Sequence, residues 1–124
     1  YNVHYDYDAA SNSYLRSEAS KPHVDITSAA DKAPLQLHPK VVIVLVMPYS
    51  YGPADDGARS TYGTTGTGQL FLYQDGNYYP GTWSKTDRPS QFVFNDAAGK
   101  QLQLNTGQTW ITIVSSSSAV TAKP

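Results

Sequence analysis

The chain has 124 residues, a formal net charge of −1 and no cysteine. A chain of this length makes one domain and buries about two thirds of its unfolded surface, enough for a core without disulfides or a structural metal. Its nine basic residues are scattered, so no stripe exists to neutralise phosphates and nucleic acid is excluded as a natural partner; the missing cysteines exclude thiolate nucleophiles and cysteine metal sites.

The chain opens mid-pattern at Tyr1 and reads as an excised piece of a longer protein. VHYDYD (3–8) alternates: Val3, Tyr5 and Tyr7 face one way, and His4, Asp6 and Asp8 the other, which is the period of a half-buried strand. AASNS then turns the chain, because Asn and Ser bond back to nearby backbone, and YLRSE resumes it as the second arm of a hairpin. Residues 19–39 look irregular. Pro22 and Pro39 push their predecessors out of helical space, and one short helical turn is expected over 28–33, capped by Ser28 and ended by Pro34.

VVIVLVM (41–47) is apolar throughout and β-branched at five of seven positions. With no alternation it must be buried on both faces, so it is predicted as the central strand. No apolar run approaches the ~20 residues of a membrane-spanning helix. YSYGPADDGARSTYGTTGT (49–67) shows no periodicity and is expected as a long loop. Its tyrosines, glycines and serines suit recognition, since Tyr gives large contact area at low entropic cost; the alternative is a mobile surface insertion of no consequence. GQLFLYQ (68–74) leads into Asp75-Gly76, the strongest hairpin signal in the chain, and NYYPGTWSK returns. QFVF is a strand and NDAAGK its turn, with Gly99 left-handed. QLQL, NTGQ and TWITIV are expected to form a further hairpin. The polar SSSSAVTAKP tail follows.

The fold predicted is mainly β: antiparallel hairpins around a buried central strand at 41–47, with at most one short helical turn. Residues 1–114 make the single β-rich domain and 115–124 the C-terminal tail.

These elements carry a recognisable order of motifs. GTGQLFLYQDGNYYPGTWSK is followed by FNDAAGKQLQLNTGQTWITIV. Within them a G-x-W-x-K hairpin (Gly81, Trp83, Lys85) precedes a D-x-x-G-K turn (Asp96, Gly99, Lys100) and a G-x-T-W-I strand (Gly107, Thr109, Trp110, Ile111). The N-terminal half shows Y-D, Y-x-R and P-H-x-D as Tyr7, Asp8, Tyr14, Arg16, Pro22, His23 and Asp25. In this order and spacing the chain resembles the C-terminal domain of the YerB-like bacterial lipoproteins, a domain of unknown function. It departs from that pattern in a longer 29–39 segment and in its own 49–67 insertion. The resemblance implies a domain outside the cytoplasmic membrane, anchored through a lipidated N-terminus of the full-length protein. It also implies an N-terminal domain of the same chain as partner. It supplies no reaction.

Two groups of residues are candidates for ligand binding. Arg16 offers a rigid fork for carboxylate or phosphate, and His23 with Asp25 offers an acid–base pair and its orienter. The bland alternative pairs Arg16 with Asp25 to fasten the irregular segment, with His23 packed on Tyr14 or Pro22. Trp83 beside Lys85 would make a stacking platform for a sugar or an anion; alternatively Trp83 closes the core and Lys85 lays its stem across it. Metal binding is not expected: His4, His23 and His38 are far apart, and Asp55-Asp56-Gly57 lacks the alternating carboxylates of a calcium loop. No cofactor motif is present, since the TTGTG run opens no helix and no serine sits in a nucleophile elbow.

The function expected is that of a non-catalytic binding or interaction module of an envelope lipoprotein, contacting a protein partner or a cell-wall glycan. The alternative is a hydrolase acting on an envelope polymer through His23 and Asp25.

Overall fold

The structure, a computed structural model, describes residues 2–26, 33–54 and 57–122. In chain order its strands are β1 (Val3–Asp8), β2 (Ser13–Glu18), β3 (Lys21–Pro22), β4 (Val24–Asp25), β5 (Leu35–Gln36), β6 (Val41–Val46), β7 (Tyr49–Ala54), β8 (Gly57–Tyr62), β9 (Gly66–Gln74), β10 (Asn77–Lys85), β11 (Val93–Asp96) and β12 (Thr109–Val114). They form a sheet ordered β1-β2-β3, a five-stranded sheet ordered β11-β10-β9-β6-β12, and the pairs β4-β5 and β7-β8. The mainly β class, with hairpins around 41–47, is therefore borne out. No helix among the described residues is long and apolar enough to cross a membrane.

Residues 41–45 and Met47 are buried, Val41, Ile43 and Leu45 completely. Full burial of successive residues explains why β6 lacks alternation, and β9 and β12 take its two edges. Asp75 (φ 55°) and Gly76 (φ 67°) make the tight turn between β9 and β10 with positive φ at both positions, as a type I′ turn requires. Gly99 (φ 83°) closes the turn after β11.

The structure corrects three sequence expectations. Most of 49–67 is not a loop: Tyr49–Ala54 and Gly57–Tyr62 pair antiparallel in register from Tyr49↔Tyr62 to Ala54↔Gly57. The alternation of Tyr49 and Tyr51 is the strand signal in this stretch, and Gly52 and Pro53 interrupt it. TWITIV forms no hairpin with QLQL. Of the latter, Gln101 bridges Asn95 and the Leu102 N–H donates to Phe94 O at 2.8 Å, extending β11. β12 instead joins β6. Lys40 N donates to Gln108 O and Met47 N to Val114 O, both at 2.9 Å, so the two strands advance together and are parallel. The stretch around 19–20 is not irregular either. Glu18 pairs with Lys21 across a two-residue turn in which Ala19 (φ 47°) and Ser20 (φ 65°) adopt left-handed backbone.

The helical turn predicted over 28–33 falls almost entirely outside the described residues, as do Asp55 and Asp56. The tail carries one 3-10 turn, Ser117–Ala119, whose first turn is capped by the Ser116 hydroxyl.

The chain clusters into two compact units. One comprises residues 1–42, 73–78 and 104–110; the other comprises 43–72, 79–103 and 111–124. In the first, Ser13, Tyr14, Arg16, Pro39, Val41 and Val42 are buried. β2 lies between β1 and the backbone of 22–23 and 37–39: Tyr14 N bonds Pro39 O at 2.8 Å, Arg16 N bonds Leu37 O at 2.9 Å, and His23 N bonds Arg16 O at 3.0 Å. In the second, Ile43, Leu45, Met47, Leu70, Leu72 and Trp83 are buried.

Candidate functional site

Arg16 sits on β2, opposite Tyr5 of β1. Only 6% of it is exposed. Its Nε donates to the Tyr5 hydroxyl at 3.2 Å and its Nη2 to Glu18 Oε1 at 2.6 Å. The guanidinium carbon lies 4.3 Å from the centre of the Trp110 ring. Burial is the largest influence on this group and pulls its pKa down. The bonds to Tyr5 and Glu18 together outweigh it, and the net shift is upward. The guanidinium therefore stays charged while stacked on an aromatic face, a cation–π arrangement that desolvation strengthens.

His23 follows β3. Its Nδ1 meets Arg16 Nη1, and its ring stands edge-on to Trp110 at 5.8 Å. Arginine can only donate, so Nδ1 is the acceptor in this contact. Glu18 Oε1 also lies 3.8 Å from Nδ1, too far for a hydrogen bond. Asp25 is half-buried in β4, with its backbone paired to Leu35.

Arg16 and His23 come together around Trp110, with Glu18 bonded to the guanidinium. Tyr5, Glu18 and Trp110 were not anticipated. The only sequence hint was the i, i+2 spacing of Arg16 and Glu18 on one strand face. The cluster fastens β2, the 21–23 segment and Trp110 in one unit. Nothing in it singles out hydrolysis.

Trp83 belongs to the other unit and is 0% exposed. Its indole N–H donates to Val46 O at 2.9 Å, and its ring meets Phe92 edge-on at 5.8 Å. Gly68 makes this possible: a Cβ there would sit 2.6 Å from both Trp83 Nε1 and Val46 O. Trp83 is a core residue with no surface to offer a ligand, so of its two readings the core one holds and the platform one does not. Lys85 is half-buried. Its Nζ donates to Arg88 O at 2.9 Å and to Ser90 O, and lies 5.5 Å from the Phe92 ring centre. It clamps the 86–90 loop that Asp87 and Ser90 also brace. Lys85 and Trp83 stand in one unit, Arg16, His23 and Asp25 in the other.

Among the described residues no group of three His, Asp or Glu side chains is placed to hold a metal ion.

Exposed aromatic side chains gather on the β7–β8 hairpin, which carries Tyr49, Tyr51 and Tyr62. Facing pairs share a side of the ribbon. Tyr49 with Tyr62, Tyr51 with Ser60 and Pro53 with Ala58 therefore make one face; Ser50 with Thr61 and Gly52 with Arg59 make the other. Tyr51 is 68% exposed, Tyr49 47% and Tyr62 37%. The Tyr49 and Tyr62 rings lie 5.2 Å apart at 54°, and the Tyr49 hydroxyl shares a hydrogen bond of 3.0 Å with Ser60 Oγ.

The fold is similar to a solved structure described as the crystal structure of YerB protein from Bacillus subtilis, with a TM-score of 0.74 and 25% identity over 94% of this chain. The chain spans 37% of the length of that protein. No curated protein matches the sequence. The family model described as "Protein of unknown function (DUF3048) C-terminal domain" matches residues 1–111, and the chain belongs to that family.

Proposed function

We propose that this domain is a non-catalytic recognition module of an extracytoplasmic lipoprotein and that the β7–β8 hairpin is its contact arm. The observation that carries the reading is the hairpin's tyrosine face. A two-stranded ribbon is marginally stable alone, and one with aromatic rings on an open face gains by burying them against something else. Tyrosine suits this role because its ring supplies contact area and its hydroxyl remains solvated in the free state.

The envelope setting rests on the family resemblance, in which a lipidated N-terminus holds the domain outside the cytoplasmic membrane. The longer chain of the solved relative leaves room for an N-terminal domain as a second, internal partner.

The test has two parts. The full-length protein is labelled with radioactive palmitate and fractionated; recovery in the cytosol without label overturns the envelope assignment. The domain is also sedimented with isolated bacterial envelopes. Retention is expected for the native chain and for Arg16→Met, and loss for the Tyr51→Ala, Tyr62→Ser double variant. Equal retention of that variant overturns the contact-arm reading.

A further inference from the structure

The chemistry of the hairpin face narrows its partner. We infer that the tyrosine face of β7–β8 binds an uncharged glycan strand by stacking pyranose rings on Tyr51 and its neighbours. This rests on the reading that the hairpin is the contact arm, and it names the class of ligand.

Charge is the first argument. Among the described residues, the face formed by Tyr49, Tyr51, Pro53, Ala58, Ser60 and Tyr62 carries no ionisable group other than the tyrosine phenols. The one described cation of the hairpin, Arg59, is on the opposite face. A polyanion such as nucleic acid would need Lys or Arg here to neutralise its phosphates. An acidic or basic peptide would likewise find no complementary charge. A neutral ligand matches a neutral face.

Polar chemistry is the second. The side-chain polar groups of the face are all hydroxyls: three phenols and Ser60. Each both donates and accepts, as sugar hydroxyls do, so either orientation of a sugar edge can be matched.

Shape is the third. Along one strand, residues two apart recur at about 7 Å, so Tyr49 and Tyr51 set rings in a row on a pleated ribbon. The axial C–H bonds of a pyranose are weakly positive and meet the negative face of an aromatic ring favourably. The 54° tilt between Tyr49 and Tyr62 shows that they do not stack face to face on one another. A protein hot spot, in contrast, centres on aromatic or arginine anchors packed in a desolvated pocket. This face is open and carries only Pro53 and Ala58 as aliphatic residues.

Isothermal titration with the uncharged hexamer of N-acetylglucosamine tests the inference, with the hexamer of galacturonic acid as the charged control. Saturable binding of the neutral hexamer is expected, unchanged between low and high salt. Tyr51→Ala and Tyr51→Leu should each weaken it at least about tenfold, while Thr61→Ala on the opposite face leaves it intact. Tyr51→Leu keeps an apolar side chain on the strand and removes the ring with its hydroxyl, so it separates loss of the aromatic contact from loss of the hairpin. No binding of the neutral hexamer, binding of the acidic hexamer only, or equal binding by Tyr51→Leu overturns the glycan assignment. If envelope retention still requires the tyrosines in that event, the contact-arm reading stands and its partner is a protein. If retention is indifferent to them, both readings fall.

Discussion

Trp83 donates its indole N–H to the carbonyl of Val46 at 2.9 Å, and Gly68 of the intervening strand β9 leaves the gap through which that bond forms. The ring fills the core and its polar atom is satisfied, so stability rather than recognition depends on it. Trp83→Ala should cost about 3–5 kcal/mol through loss of burial and a cavity. Trp83→Phe should cost about 1–3 kcal/mol, because it leaves the Val46 carbonyl without its donor. Gly68→Ala pushes a methyl against both partners and should cost about 1–3 kcal/mol. Urea denaturation reads all three; a neutral Gly68→Ala would show that the gap is not needed.

Arg16 spreads its donors over Tyr5, Glu18 and His23 while its plane lies on Trp110. Lysine keeps the charge but neither the fork nor the flat stack. Arg16→Lys should therefore be the more damaging change, by about 1–3 kcal/mol, since it buries an ammonium with unmatched partners. Arg16→Met keeps the stem over Trp110 and removes the charge, and Glu18 is exposed enough to rehydrate. Its cost should be smaller. Thermal midpoints of the two variants decide this, and the reverse order would refute the account.

Asp75 joins three loops. Its Oδ1 accepts from Asn12 Nδ2 at 2.8 Å and from Asn105 Nδ2 at 2.6 Å, while its own backbone is left-handed. Asp75→Gly keeps the turn and deletes both bonds; Asp75→Asn keeps the turn and weakens them. Losses of about 1–2 kcal/mol for glycine and less for asparagine are expected in denaturant titrations. Equal effects would mean that the turn geometry, not the side chain, is what matters.

Ala19 and Ser20 both hold positive φ, a conformation that costs a non-glycine residue roughly 1–2 kcal/mol. Replacing them by Asn-Gly should raise stability by about 1 kcal/mol, because that pair favours the same turn. A rise in melting temperature with unchanged circular dichroism is the expected result.

Asp8 and Asp87 are held below the usual carboxylate range, chiefly by the hydroxyls of Ser11 and Ser90 and further by backbone N–H groups of the same turns. A depressed folded pKa adds stability above the unfolded value and loses it as pH falls through the folded one. The urea midpoint should therefore be flat near neutrality and fall below about pH 4. Both groups are solvent-exposed, so the change is modest, and the Asp8→Asn, Asp87→Asn double variant should flatten that acid limb.

Local chemistry was legible in the sequence. β-Branched side chains without alternation identified 41–47 as buried on both faces. Alternation identified Val3–Asp8, Asp75-Gly76 announced its turn, and the motif order announced the family. These features act within a few residues, so a few residues suffice to read them. The Ala19-Ser20 turn was hidden because neither residue favours the backbone it adopts. The tyrosine ribbon was hidden because Gly52 and Pro53 interrupt its pattern.

Pairing was decided only in three dimensions. TWITIV could pair with its sequence neighbour or with β6. It joins β6 because a strand buried on both faces needs hydrogen-bond partners along both edges, and β9 supplies only one. Arg16 takes Glu18 and Trp110 because register and the return of a distant strand place them beside it. Trp83 became core rather than platform for the same reason: whether an aromatic ring is covered depends on which strands close over it, and that is settled by tertiary packing.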